Sequence, residues 1–512
     1  MPNANANLYL RFKQQAGPGN KAFIRSHDGK VITYGDAESV SAQLAHALQR
    51  WQVKPGDRVV VQVEKSAAAL LLYLACLRAG AVYVPLNTGY TLTELEYFIG
   101  DAQPAMVVCT PEKQVGIAAI VSKLSSPCAL VTLDAGDATL MQRAREQPQQ
   151  FDDVLCAGSD LAAILYTSGT TGRSKGAMLS HDNLGSNCFT LKDCWRYTAK
   201  DVLLHALPIF HTHGLFVATN VTLAAGASMI LLPKFDPAAI KRFLPEATVL
   251  MGVPTFYVRL LQEGWLDHST TKNMRLFVSG SAPLLAETHR LWRERTGHAI
   301  LERYGMTETN MNTSNPYDGE RVPGTVGLPL PGVSVRVVDQ ERGTPVTVDE
   351  IGMIEVKGPN VFSGYWRMPE KTRAEFRDDG FFITGDLGKI DARGYVHIIG
   401  RGKDLVITGG FNVYPKEVEN EIDALPGVEE SAVIGVEHAD FGEAVTAVVV
   451  LAPGNGLSEA ALNEQTVIDA LRQRLAAFKV PKRVLFVDAL PRNTMGKVQK
   501  NVLRERYREL YR

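Results

Sequence analysis

Cysteine is scarce in this chain of 512 residues: six, at Cys76, Cys109, Cys128, Cys156, Cys188 and Cys194, with no CxxC pair. No His or Cys cluster follows Cys188 and Cys194 at ligand spacing, so a zinc site is not expected. Six ordinary reduced thiols of a cytoplasmic chain are. Long apolar runs are also missing. The longest, Ala67 to Leu77, is ended by Arg78 and falls short of the roughly 18 residues that a membrane span needs. The first residues, Met1 to Asn7, carry no basic n-region and no apolar h-region, so no secretory leader is expected. Surplus charge is absent too, with Lys+Arg 54 against Asp+Glu 55. That balance gives no reason to expect a nucleic-acid partner or an acidic membrane. A soluble cytoplasmic enzyme with small-molecule substrates is the expectation.

What is present is enough apolar residue, 45%, for more than one packed core. The length corresponds to roughly three domains. Over the first 320 residues, strand-like runs alternate with helix-like ones. Arg58–Val63, Ala105–Cys109, Leu161–Tyr166, Ser228–Leu232, Thr248–Gly252 and Leu276–Ser279 read as strands, and Ala67–Leu77 reads as a helix. This alternation predicts an α/β sheet with helices on its faces. From Pro323 the texture shifts to antiparallel alternation between Gly and Pro turns, at Val333–Val338 and Gly352–Val356. A third region from Arg401 reads as a compact α+β unit. It holds helices at Pro415–Ala424 and Val467–Phe478, and strands near Ser431–Val436, Ala444–Leu451 and Val484–Val487.

The segment Tyr166 to His181, YTSGTTGRSKGAMLSH, carries the most chemistry. Gly169, Gly172 and Gly176 permit tight turning and close approach. Thr167, Ser168, Thr170, Thr171 and Ser174 offer hydroxyls, and Arg173 and Lys175 offer charge. Backbone N–H groups and hydroxyls so arranged can cradle a polyphosphate. A Walker A loop needs adjacent Gly-Lys followed by Ser or Thr. Here Ser174 precedes Lys175 and Gly176 follows it, so that match fails and a Walker-type kinase is disfavoured.

The loop resembles the signature of the adenylate-forming (acyl-CoA synthetase) superfamily, and further motifs occur in the family's order. They are PIFHTHGL at Pro208–Leu215, YGMTET at Tyr304–Thr309, TGDLG at Thr384–Gly388, GRGKD at Gly400–Asp404 and PRNTMGKVQK at Pro491–Lys500. The resemblance implies an α/β fold: a large N-terminal ATP- and acyl-binding domain over 1–400 with a β-rich subdomain at about 323–400, a hinge at 401–403, and a small mobile α+β domain over 404–512. It implies ATP, Mg2+ and coenzyme A as cofactors. ATP would be met by the loop Thr167–Lys175, by Gly280, Ser281 and Ala282, by Glu302, Arg303, Tyr304, Gly305, Met306 and Thr307, and by Asp386, Arg401 and Lys497. Glu308 would hold Mg2+, and Lys497 would bridge carboxylate and α-phosphate, with Thr307 contacting phosphate. His211 would gate the pantetheine tunnel, Gly409, Gly410 and Phe411 would approach coenzyme A, and Lys403 would be the hinge.

Arg303 departs from many relatives, which carry a small or uncharged residue there. A buried unpaired arginine is costly, and a second carboxylate on the substrate would answer it with two parallel hydrogen bonds. Arg259 closes a segment that lines the same pocket in the family. The stretches LERYGMTETNMNTSNPYDG and GFNVYPKEVENEID are similar to malonyl-CoA synthetases. By that match His213, Arg259, Ser281 and Arg303 would hold the distal carboxylate of malonate, with methylmalonate a further candidate. Three alternatives stay open: Arg303 pairs with Glu302 or Glu308; the acid is another small one; or a free-standing adenylation enzyme loads a carrier protein. The essential charge of Lys497 on an exposed loop also makes it a candidate target of a lysine acetyltransferase.

Overall fold

The computed structural model describes residues 5–134, 139–167, 174–340, 342–408, 411–438, 440–452, 462–493 and 496–511, with the side chain of Asn412 also outside the description. The chain divides into two compact units: Met1–Ser334 with Val356–Phe382, and Val335–Glu355 with Ile383–Arg512. The stretch 323–400, expected as a subdomain of the larger body, is thus shared between the units.

Two sheets organise the first unit. One has seven strands, in the order Gly364–Tyr365, Lys175–Ser180, Leu161–Thr167, Val82–Pro85, Arg58–Gln62, Met106–Cys109, Ala129–Thr132. Its last five strands run parallel, and the run Arg58–Gln62 is buried along most of its length because helices cover both faces. The apolar run after it is the fully packed helix Ala67–Arg78, capped by the Ser66 side chain. The second sheet has nine strands, and four of its parallel strands matter for function. In spatial order they are Leu301–Met306, Leu276–Ser279, Val249–Gly252 and Val202–His205. Aromatic packing fixes the helices behind them. Trp292 is fully buried, with Tyr257 and Phe277 edge-on at 4.9 and 5.0 Å.

In the second unit, Ser334–Val338, Gly352–Lys357, Phe382–Ile390 and Val396–Arg401 make a four-stranded sheet. A five-stranded sheet follows, in which the long hairpin Val428–His438 and Gly442–Leu451 packs beneath the helix Pro415–Asp423. The helix expected over Val467–Phe478 runs instead over Glu464–Arg472, started by a capping box at Asn463. The amides of Arg474 and Leu475 both turn back onto the Leu471 carbonyl. Leu475 therefore still reaches the core beside Leu471 without extending the helix.

The strand Leu301–Met306 folds back on Asn310–Ser314 in an antiparallel hairpin with an irregularity between Tyr304 and Gly305. There the backbones approach so closely that a Cβ at Gly305 would lie 1.8 Å from the Asn310 carbonyl oxygen. Gly305→Ala should destabilise the first unit by at least about 2 kcal/mol, read as a lower urea midpoint. An unchanged midpoint would show that the hairpin tolerates a side chain.

Candidate active site

Four adjacent parallel strands and the segments that follow their C-terminal ends hold many of the residues singled out above. Val202–His205 leads to His211 and His213, and Val249–Gly252 leads to the helix Pro254–Leu261 with Arg259. Leu276–Ser279 leads to Gly280, Ser281 and Ala282, and Leu301–Met306 itself carries Glu302 to Met306. Ligands of open α/β sheets bind at this edge because the loops there converge.

Arg303 is the unusual member. It is 3% exposed, and its Nε and Nη2 have no hydrogen-bond partner among the described residues, nor does it make an ion pair there. Burial pulls its pKa down to about 9, with the nearby Tyr257 ring working weakly the other way. Gly280 makes the space: a Cβ at that position would sit 2.4 Å from the guanidinium carbon. Neither glutamate that could have paired with Arg303 makes an ion pair with it among the described residues. Glu302 is the next residue along the strand and so faces the opposite side. Burial raises its pKa to about 8 against the opposing pull of the Leu284 and Gly324 backbone, and its buried Oε2 has no hydrogen-bond partner among the described residues. One carboxyl oxygen of Glu308 accepts from Tyr365 Oη at 3.0 Å.

Two uncharged polar groups join the guanidinium. His213 Nδ1 lies 3.2 Å from Ser281 Oγ, and its buried Nε2 has no partner among the described residues. Burial first, then the charge of Arg303, holds His213 well below its ordinary pKa, so it is a neutral ring. Ser281 adopts a left-handed backbone at φ 74°, a strained choice for a serine that recurs at functional sites. Arg259 is not drawn in. Its side chain is exposed at the end of its helix, with no ion pair among the described residues.

The phosphate-loop residues Ser168, Gly169, Thr170, Thr171, Gly172 and Arg173 lie outside the described residues, as do Gly409 and Gly410. The loop's two feet are firmly held. Thr167 and Lys175 are cross-strand partners. Tyr166 Oη donates to Asp101 at 2.5 Å, Tyr97 Oη donates to the Ser174 carbonyl at 2.6 Å, and the Trp366 amide donates to the Gly176 carbonyl at 2.7 Å. The Lys175 ammonium sits 4.3 Å over the Tyr365 ring, whose hydroxyl reaches Glu308. Tyr365 therefore touches both the cation of the loop and the acid of YGMTET. Nothing in its local sequence marks it, because the contact exists only once strand Gly364–Tyr365 pairs with Lys175–Ser180. Asn360 is a second residue that sequence reading missed. Fully buried, it donates to the carbonyls of Thr309 and Met311 and pins the turn that presents Thr307 and Glu308.

A single buried carboxylate suits Mg2+, which takes one or two protein carboxylates and fills the rest of its shell with phosphate and water. Among the described residues no cluster of three His, Cys, Asp or Glu could hold a metal alone. Glu308 fits the first kind of site.

In the second unit Asp386 and Arg401 are cross-strand partners joined at 2.7 Å. Thr384 fixes the turn of TGD: its hydroxyl donates to the Ile354 carbonyl and accepts from the Asp386 amide. Lys403 stands in the short turn Gly402–Asp404, its pKa lowered by burial. The exposed Phe411 stacks on Phe478 at 4.7 Å. Lys497 is exposed on a loop closed by reciprocal bonds with Asn493.

The AMP-binding enzyme family matches residues 11–366, and the C-terminal domain of AMP-binding enzymes matches 417–497. The chain belongs to the AMP-binding enzyme family, with the adenylate-forming fold. It is an AMP-forming acid–thiol ligase, a class whose cofactors are ATP, Mg2+ and coenzyme A. It is 63% identical to ATP-bound MatB from Rhodopseudomonas palustris, with a TM-score of 0.97 over 99% of this chain and 100% of that one. It is 37% identical to a mitochondrial malonate–CoA ligase of Mus musculus over 92% of this chain and 86% of the relative. It is 36% identical to a feruloyl-CoA synthase of Amycolatopsis sp. over 94% and 95%. No helix among the described residues is long and apolar enough to cross a membrane.

Glu302 supplies a pH test. Its folded pKa of about 8 stands above the ordinary 4.5, so the folded chain holds a proton that the unfolded chain gives up. Stability should therefore be fullest below about 4.5 and should fall by up to about 1.4 kcal/mol per pH unit as pH rises toward about 8. Glu302→Gln, neutral at every pH, should flatten that decline in urea unfolding at pH 5 to 8. Parallel profiles for both proteins would contradict the assignment.

Proposed function

We propose that this enzyme joins malonate to coenzyme A through malonyl-adenylate, releasing AMP and pyrophosphate, with methylmalonate as the next candidate acid. The observation that carries the reading is the buried guanidinium of Arg303 without an acid beside it among the described residues. A buried charge is tolerated where a ligand completes it, and a distal carboxylate matches a guanidinium with paired hydrogen bonds. Beside it the neutral His213–Ser281 pair supplies one further donor, His213 Nε2–H with the Ser281 hydroxyl turned to Nδ1, which adds a hydrogen bond without adding charge. Arg259, exposed on its helix, is proposed as an outer cation of the same pocket. The relatives named malonate–CoA ligase support the same choice.

In this reading the reacting carboxylate is ionised at neutral pH and needs no base. It attacks the α-phosphorus of ATP, the bond to the β-phosphate oxygen breaks, and pyrophosphate leaves. The thiol of coenzyme A then attacks the acyl carbon, gives its proton to solvent, and AMP departs. The protein's work is alignment and charge placement. The nucleotide set is Thr167 to Lys175, Gly280 to Ala282, Glu302 to Thr307, Asp386 and Arg401. Glu308 is the residue to hold Mg2+, and Lys497 is to bridge carboxylate and α-phosphate. We further assign His211 to the gate, Phe411 with Gly409 and Gly410 to coenzyme A, and Lys403 to the hinge. Six unpaired cysteines suit the reducing cytoplasm. A feruloyl-CoA synthase among the relatives keeps a bulky monocarboxylate as the second reading. A carrier-protein loader is the third, excluded if free coenzyme A accepts the acyl group.

Arg303→Ala should raise KM for malonate by the equivalent of about 2–5 kcal/mol while KM for ATP holds. An unaltered malonate KM would favour a monocarboxylate. Lys497→Ala should abolish adenylate formation yet spare thioester formation from preformed acyl-adenylate. Equal loss of both half-reactions would count against a role confined to adenylation.

A further inference from the structure

Lys65 follows the strand Arg58–Gln62 and directs its ammonium inward rather than to solvent. Nζ lies 3.0 Å from His205 Nδ1 and 2.8 Å from the His205 carbonyl oxygen. On the far side of the same ring, His205 Nε2 lies 2.9 Å from the Gly214 carbonyl oxygen and 3.2 Å from Thr219 Oγ1. These partners settle the tautomer. A carbonyl oxygen only accepts, so Nε2 carries the hydrogen. The neutral ring has one hydrogen, so Nδ1 offers its lone pair, and Lys65 Nζ–H donates to it; burial lowers the Lys65 pKa well below its ordinary value, and the group donates in either protonation state. Burial and then the Lys65 charge hold His205 well below its ordinary pKa, in agreement with that neutral form.

The Gly214 carbonyl is latched twice, by His205 Nε2–H and by the Thr219 hydroxyl at 2.9 Å. It belongs to the segment His213–Thr219, which is wound as a π-helix. Such widened turns are rare and frequent at functional sites. His213 is the first residue of this turn, and its ring meets Ser281 Oγ and senses the Arg303 charge. The chain of contacts therefore runs from Lys65 through His205 to Gly214, one residue from the histidine beside the buried guanidinium.

We propose that Lys65 is a positioning residue for the acid pocket: by fixing the tautomer of His205 it latches the His213–Thr219 turn and sets His213 Nε2 where the distal carboxylate binds. The proposal rests on the reading of that pocket as a distal-carboxylate site. Ordinary core packing needs no such charge: a lysine in an apolar interior is costly unless its donors are used, and here its hydrogen bonds go to His205.

The test is steady-state kinetics on the full-length enzyme. Lys65→Met keeps the stem and removes the donor. It should raise KM for malonate about tenfold, the worth of one hydrogen bond to a charged group, with KM for ATP and the thermal midpoint unchanged. His205→Gln keeps an N–H toward Gly214 and gives up the ring nitrogen that Lys65 addresses. Adding Lys65→Met to it should then raise KM for malonate no further. An equal rise in KM for malonate and ATP, no rise at all, or fully additive effects would overturn the proposal. If Lys65→Met fails to fold, Lys65→Gln, which retains one donor, carries the same expectation at reduced size. Arg303→Met, run alongside, separates the two readings. If it leaves the malonate KM unchanged, the distal-carboxylate reading itself fails. If it raises that KM while Lys65→Met does not, the positioning role alone fails.

Discussion

A guanidinium held away from water, with no acid beside it among the described residues, is the constraint around which the proposed acid pocket is built. Such a charge costs the fold several kcal/mol unless something answers it. The surroundings of Arg303 answer it with space and neutrality rather than with a counter-ion. Gly280 leaves room for the planar head. His213 stays neutral, and Glu302 faces the other side of the strand and holds its proton. A carboxylate supplied by the protein would saturate the arginine and leave nothing for a ligand. The same geometry therefore lowers stability in the empty state and raises selectivity in the filled one.

Positioning elsewhere relies on short hydrogen bonds of several kinds. Tyr97, Tyr166 and Trp366 hold the feet of the phosphate loop, and Asn360 holds the turn bearing Glu308. Tyr365 ties Lys175 to Glu308. In the second unit, Asp386 and Arg401 are ordered by their own sheet, and Lys497 by its own loop. Within each unit these polar groups are held by that unit's own elements, the preorganisation that electrostatic catalysis requires.

Much of the fold was legible in the sequence because buried parallel strands are short apolar runs between turn residues. Leu276–Ser279 was read to the residue, and Arg58–Val63 and Gly352–Val356 to within one. The helix after Asn463 was read too far along the chain because Leu475 keeps the apolar periodicity beyond the last helical turn. The division of 323–400 between units was invisible, since it depends on contacts between distant strands. In the site, Arg303, His213 and Ser281 could be named from motifs, and the structure gathers them. Arg259, named from the same motifs, stands exposed instead. Tyr365, Asn360, Lys65 and His205 carried no signal of their own. Their partners lie 57, 51 and 140 residues away in the chain, and only folding brings them together.

The central claim is that a negative charge at the far end of the substrate completes the pocket. Pyrophosphate release measured with malonate and with monomethyl malonate, of nearly the same shape but neutral at the distal end, tests it most directly. The account predicts that kcat/KM falls at least about a hundredfold for the ester, the loss of a charge-assisted pair. Comparable values for the two acids would contradict it.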